Sequence, residues 1–252
     1  MEKKDIYGTI YKRKSIRRYD LNPLNSEIIN DIKDEIGNLK PLIPDIKTDI
    51  KIISSEDVKT RMMKKAPHYI AVFSEEKEGY LTNVGYMLQQ MDLLLSSNGI
   101  GTCWQGIPTI KDNVMNSSDQ KFIILIAFGM ADEPLHRDDV KEFKRKDLEK
   151  ITDIPATEKN MEIFEAARLA PSATNSQAWF LSGNSTSIDV YSVKPNFIRS
   201  LVAKKYVPID AGILICHIVV AAEHLQKNPE IIFKTDMDKK GYKYHASINL
   251  EA

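Results

Sequence analysis

Two stretches of this chain, 127 residues apart, read alike, and any fold proposed for it has to account for both. Asn83-Val84-Gly85-Tyr86-Met87-Leu88-Gln89-Gln90-Met91 aligns with Asp210-Ala211-Gly212-Ile213-Leu214-Ile215-Cys216-His217-Ile218, and the offset is the same from 83 to 210 as from 85 to 212. Each stretch opens on an Asn or Asp able to cap a helix, carries a glycine two residues later, and then runs apolar. Leu88, Met91 and Leu95 match Ile215, Ile218 and Ala222, the i, i+3, i+7 spacing of a buried helix face. Any two core helices share apolar periodicity, but the common cap and glycine favour a duplicated unit.

The flanks agree with duplication. In the first half a helix over residues 26–36, with Ile28, Ile32 and Ile36 on one face, leads into strand-like residues 50–53. In the second half a helix over 158–169 leads into 179–182 and 188–193, a hairpin across residues 183–187. Residues 71–73 and 122–128 read as strands around the first central helix. Residues 231–234 and 242–249 read as strands after the second, with a turn at 238–241. The expectation is two related α+β halves, 1–150 and 151–252, with residues 151–156 as their junction.

Composition narrows the function classes. The chain has 252 residues, enough for one large domain or two small ones, and 35 basic residues balance 35 acidic ones. Nothing global steers it to nucleic acid or an acidic membrane. The N-terminal residues 1–5 lack the apolar run of a signal peptide. The longest apolar run, 211–222, contains His217, is too short to cross a bilayer, and reads as a buried core helix. Two cysteines, Cys103 and Cys216, make no disulfide framework, which fits a cytoplasmic location. His68, His136, His217, His224 and His245 share no metal-ligand spacing, so no metal is expected.

Two motifs carry chemistry. Ala170-Pro171-Ser172-Ala173-Thr174-Asn175-Ser176-Gln177-Ala178-Trp179 follows the second helix, which Pro171 ends by disfavouring helical backbone at the residue before it. Its hydroxyl and amide side chains can hydrogen-bond a polyol or a heterocycle edge. Arg13-Lys14-Ser15-Ile16-Arg17-Arg18 sets several cations around one serine, a donor set suited to a phosphate dianion. By itself it also reads as a solvated basic turn.

Together, in this order, the two motifs resemble the FMN-dependent nitroreductase family. That family carries a basic segment around a serine near its N-terminus and a Pro-Ser-x-x-Asn-x-Gln loop after its second helix. Gly99-Ile100-Gly101-Thr102-Cys103-Trp104-Gln105-Gly106 resembles a third family element. Ala127-Phe128-Gly129-Met130, followed by Lys144-Arg145-Lys146-Asp147-Leu148, resembles the closing strand and basic tail. The resemblance implies a nitroreductase-like α+β fold with long central helices and antiparallel sheets. It also implies FMN as cofactor, with NADH or NADPH as electron donor and a small flat electron acceptor such as a nitroaromatic or quinone.

The motifs are divided between the halves: the basic segment lies only in the first, the Pro171-Ser172 loop only in the second. Family members are homodimers whose flavin touches the basic segment of one subunit and the Pro-Ser loop of the other. The resemblance therefore implies a monomer that imitates a dimer, with one complete flavin site and one decayed site. By position, Arg13, Lys14 and Ser15 would hold the phosphate and ribityl end, and Arg17 the pyrimidine edge. Pro171, Ser172, Ala173 and Asn175 would cover the dimethylbenzene side and ribityl chain. Backbone groups of Gln105 and Gly106 would face the reactive edge, and Lys144 and Arg145 would close on the phosphate. No catalytic nucleophile or acid–base triad is expected, because the cofactor carries the chemistry. Trp104, Trp179 and Cys103 read as packing residues, and Gln177 as a brace of its own loop. Ala178 stands where the family has proline, and no long lid-like insertion is present. The alternatives are a flavin-binding protein with little turnover, serving storage, sensing or electron transfer, and a nucleic-acid adaptor using the basic cluster. The balanced charge opposes the latter.

Overall fold

Short polar caps open the first helices. In the computed structural model, which describes residues 5–59, 65–158, 160–194 and 200–250, Asp5 accepts the Gly8 N–H at 2.7 Å and starts α1 (Ile6–Ile10). Asn25 accepts the Ile28 N–H at 2.8 Å and starts α2 (Ser26–Gly37), whose Ile32 is buried. Strands β1 (Thr48–Ser54), β2 (Val58–Lys59) and β3 (His68–Ser74) follow, then α3 (Tyr80–Ser97). Next come β4 (Gly101–Gln105), β5 (Thr109–Ile110), the short α4 (Asp112–Met115) and β6 (Lys121–Gly129). The remainder holds α5 (Met161–Arg168), the hairpin strands β7 (Trp179–Gly183) and β8 (Ser187–Val193), α6 (Ser200–His224), β9 (Glu230–Ile232) and β10 (Tyr242–Asn249). The expectation for residues 1–4 lies outside the described residues.

The chain forms two compact units: Met1–Tyr80 with Gln90–Glu142, and Leu81–Gln89 with Phe143–Ala252. They differ from a single cut near residue 150 in two ways. The first half of α3 belongs to the second unit. Residues 151–156, read as a junction, include backbone that pairs along β7, where Leu181 N–H donates to the Ile151 carbonyl at 2.7 Å.

Among the described residues each unit has one four-stranded antiparallel sheet. The first runs β1-β3-β6-β4 and the second β7-β8-β10-β9. Counted along the chain, both have the order first, second, fourth, third. In both, a helix precedes the first strand and a long helix separates the second from the third. In both, the last strand carries one extra residue opposite the second strand: Ile123 in β6 and His245 in β10. The first sheet packs Tyr69, Ala71, Phe73, Leu125 and Ala127 into a core joined by Ile16 and Tyr19. In the second unit α5 buries Ile163, Phe164, Ala166 and Ala167 and packs on α6.

The paired Asn/Asp-x-Gly stretches are helical but do not cap. α3 starts three residues before Asn83, after a left-handed Gly79, and α6 starts ten residues before Asp210 and runs on through Pro208. Asn83 and Asp210 are both buried inside their helices. The glycines mark a close crossing within the second unit. A Cβ on Gly85 would overlap the Ile209 carbonyl oxygen and lie 2.9 Å from its carbon, and one on Gly212 would overlap the Thr82 carbonyl oxygen and lie 2.7 Å from the Tyr86 nitrogen. At the offset of 127, Thr82 corresponds to Ile209 and Gly85 to Gly212, so the two contacts are reciprocal. That is the pattern of a two-fold interface, where residue i meets j and j meets i. Only a residue without a Cβ allows the two backbones this approach.

α6 is also longer than the apolar run suggested. Its stretch Lys204–His224 has the length and hydropathy to span a bilayer, but 78% of the most apolar window is buried inside the protein. Length alone therefore does not separate the two roles, and burial identifies a core helix. His217, fully buried, has Nδ1 2.8 Å from the Ala166 carbonyl and Nε2 3.1 Å from Gln89 Nε2. With Nδ1 donating and Nε2 accepting, the ring ties α3, α5 and α6 together.

Candidate functional site: a basic segment and a strained loop

Residues 12–20 do not form a free basic turn. The Ile16 N–H donates to the Thr102 carbonyl at 2.8 Å, and Gly101 leaves room for the Ile16 side chain. On the other side, Arg137 N–H donates to the Lys12 carbonyl at 2.8 Å and Asp132 N–H to the Arg18 carbonyl at 3.0 Å. The segment alternates buried Arg13, Ile16 and Tyr19 with half-buried Lys14 and Ser15 and exposed Arg17 and Arg18.

Arg13 is committed inward. Its Nε lies 3.0 Å from Asp92 Oδ2, with both side chains essentially inaccessible, and Asp92 Oδ1 accepts the Thr102 hydroxyl at 2.5 Å. Arg13 Nη2 lies 3.5 Å from Ser15 Oγ. Arg137, which no sequence motif marks, joins the cluster: its Nη1 donates to the Arg13 carbonyl. Burial, then the neighbouring Arg13 and also Arg17, push its pKa down to about 10, against the opposing pull of Glu142. Glu133 accepts the N–H groups of Arg17 at 2.6 Å and Arg18 at 3.1 Å. Those bonds hold its carboxyl below the usual range. A guanidinium held down by burial and by neighbouring cations, as that of Arg137 is, is stabilised by an added anion.

Beside this segment, β4 presents the Cys103, Trp104 and Gln105 stretch. Cys103 is buried, and burial raises its thiol pKa against the pull of Arg17 and Arg13, so it is a packing thiol rather than a thiolate. Gln105 is 3% exposed, and its Oε1 has no hydrogen-bond partner among the described residues. A buried acceptor left unmatched calls for a donor from elsewhere, such as a ligand N–H.

The second candidate group lies in the other unit. Lys144, Thr174, Asn175 and Gln177 all have positive φ, between 46° and 56°. Non-glycine residues in that region each cost about 1–3 kcal/mol and persist where the surroundings enforce them. Here the enforcement is visible. Arg145 donates to the Asn175 side-chain oxygen and, at 3.1 Å each, to the Phe143 and Leu169 carbonyls. Asn175 Nδ2 donates to the Lys144 carbonyl at 3.1 Å. Gln177 Oε1 accepts the Lys146 N–H at 2.7 Å, and Gln177 N–H donates to Ser172 Oγ at 3.0 Å. Ala173 N–H donates to both carboxylate oxygens of Asp210, at 3.0 and 3.2 Å.

The structure thus gathers Arg13, Lys14, Ser15, Arg17, Gln105 and Gly106 in the first unit. It gathers Pro171, Ser172, Ala173, Asn175, Lys144 and Arg145 in the second. Arg145 braces the loop, and the added cation beside the basic segment is Arg137. Gln177 braces its loop as read from the sequence. Trp179, 2% exposed, is a core residue.

Residues 5–222 match the model of a protein family described as "Putative TM nitroreductase". A solved structure from Thermotoga maritima, described as a "putative nitroreductase", is similar at 21% identity. The match covers 100% of this chain and 96% of that one, with a TM-score of 0.71. A "Putative NADH dehydrogenase/NAD(P)H nitroreductase" from Parabacteroides distasonis is 18% identical over 58% of this chain and 95% of that one, with a TM-score of 0.44. A nitroreductase with bound FMN from Bacteroides fragilis is 18% identical over 52% and 90%, with a TM-score of 0.43. No curated protein matches the chain. The fold is that of the nitroreductases, and the family match spans most of the sequence: the chain belongs to this nitroreductase-like family and is an oxidoreductase.

Proposed function

We propose that the chain is an FMN-dependent NAD(P)H oxidoreductase that passes electrons to nitroaromatics, quinones or similar flat acceptors in a ping-pong cycle. It would act as a monomer whose two halves imitate the two subunits of a homodimer, with one complete flavin site. The observation that carries the cofactor assignment is the guanidinium cluster of Arg13, Arg17 and Arg137, in which Asp92 already neutralises Arg13. A phosphate matches that residual charge, with Lys14 and the Ser15 hydroxyl as further donors. The unmatched Gln105 Oε1 supports a heterocycle with an N–H edge nearby. Arg17 would supply the cation that lowers the cost of negative charge on the reduced ring. Pro171, Ser172, Ala173 and Asn175 would cover the dimethylbenzene side and ribityl chain of the cofactor. Bound FMN supplies the hydride chemistry, so the chain's task is to hold, orient and electrostatically tune it.

Duplication is supported by the shared strand order, the shared bulge and the reciprocal glycine crossing. The purified protein tests the activity. Bleaching of its flavin absorbance by NADH or NADPH, followed by reoxidation with a quinone, is the expected result. Flavin that ignores both nucleotides would instead mark a binding protein with little turnover.

A further inference from the structure

The loop of residues 172–177 holds three non-glycine residues in left-handed backbone, one of them the β-branched Thr174. Its brace from the 143–146 segment grips the far end, Asn175 and Gln177. Its near end is held from α6. Ala173, the residue just before the left-handed run, donates its N–H to both oxygens of Asp210. Asp210 is 4% exposed and lies mid-helix, two residues after Pro208 and two before the crossing glycine Gly212.

A buried carboxyl is a costly way to fill a helix position. Burial pushes its pKa up to about 8 despite the opposing Ala173 bond. At the matching position of the first half the chain carries a neutral Asn83, whose Nδ2 donates to Met87 Sδ at 3.6 Å. The acidic residue therefore occurs in the half that carries the Pro171-Ser172 loop.

We infer that Asp210 is a positioning residue, a latch that fixes the Ala173 amide and so presets the left-handed loop for the cofactor. The inference rests on the reading of this loop as part of a flavin site, but its structural part does not need the flavin. The latch acts through the loop by sparing the cofactor the work of ordering it.

The test compares Asp210→Ala and Asp210→Asn with the full-length wild-type chain, in two readouts. One is amide hydrogen exchange of the peptide spanning 171–178 without added cofactor, and the other is FMN Kd by fluorescence quenching. Asp210→Ala is expected to speed exchange in that peptide at least tenfold, with little change in the β1-β3-β6-β4 sheet, and to raise the FMN Kd about tenfold. Asp210→Asn keeps an acceptor oxygen and is expected to restore both to within about threefold of wild type. Unchanged exchange in Asp210→Ala, or exchange equally fast in both variants, would overturn the latch. If the wild type takes up no FMN, the flavin reading fails, and the exchange data still decide the latch. Should the Ala variant not fold, Asp210→Leu, which keeps the side-chain volume and removes both acceptor oxygens, is read the same way.

Discussion

Gly212→Ala adds one methyl group at the helix crossing, and two opposed effects set its outcome. Alanine is the better helix former by about 1 kcal/mol, so propensity alone favours the variant. Against that, the new Cβ would overlap the Thr82 carbonyl oxygen and approach the Tyr86 nitrogen to 2.7 Å and the Thr82 carbonyl carbon to 2.9 Å. All three are main-chain atoms of α3 and cannot rotate away as a side-chain tip can. Overpacking of this kind costs about 1–3 kcal/mol, and occasionally more. A backbone obstacle belongs at or above the upper end, leaving a net loss of about 2 kcal/mol. In a protein of this size that lowers the melting temperature by about 4–8 °C. Thermal and urea unfolding measure it directly. Gly37→Ala, at the exposed end of α2 with nothing within 4 Å of a new Cβ, is the control and should be neutral or stabilising by up to about 1 kcal/mol. Reciprocity adds a further expectation. Gly85→Ala should cost a similar amount, and the double variant less than the sum, since one separation of the helices relieves both overlaps. A Gly212→Ala protein as stable as wild type, beside a normal control, would refute the crossing and the reciprocal packing drawn from it.

Arg17→Ala and Arg137→Ala should each weaken FMN binding about tenfold or more while leaving the melting temperature nearly unchanged, as read by titration and thermal unfolding. Arg13→Ala should instead destabilise the fold by about 3–5 kcal/mol, because it strands the buried Asp92 carboxylate. Equal effects of all three on binding alone would contradict the inward role of Arg13. His245, at the β10 bulge between Thr82 Oγ1 at 3.1 Å and Ser192 Oγ at 2.8 Å, has its pKa pushed down to about 4 by burial. The unfolded chain takes up this proton near pH 6.5 and the folded one only near 4, so stability present above 6.5 is lost as pH falls toward 4. The loss is about 2 kcal/mol, allowing for partial exposure, and His245→Gln should remove it. Asp210, whose pKa is raised from 3.8 to about 8, shifts stability the opposite way across all of this range, so the comparison is between variant and wild type at each pH.

Much of the scaffold is legible in the sequence because burial imposes periodicity. Every strand read from its apolar run lies within or overlaps an observed one, and α2 and α5 are found close to where Ile28, Ile32 and Ile36 and the stop at Pro171 place them. Local signals failed where tertiary contacts reassign them. Asn83 and Asp210 look like caps because Asn and Asp satisfy free N–H groups. In the fold both are buried inside their helices, and Asp210 satisfies an N–H group of the 172–177 loop instead. Pro208 would ordinarily mark a helix boundary, yet α6 continues through it. Arg137 has no motif at all: its place in the cluster arises because residues 130–137 pair along the basic segment, a register that no local pattern encodes. Arg145 shows the converse: its motif-like basic run does not foretell the bonds its guanidinium makes to the Phe143 and Leu169 carbonyls and to Asn175.

Flavin stoichiometry decides the account most directly. The purified chain, saturated with FMN and freed of excess, should release one FMN per polypeptide, measured by absorbance against amino-acid analysis, while sedimenting as a monomer. Two per chain would mean that both halves hold complete sites, and half a flavin per chain in a dimer would mean that the site is built between chains. Either result would contradict a single polypeptide folded as its own partner.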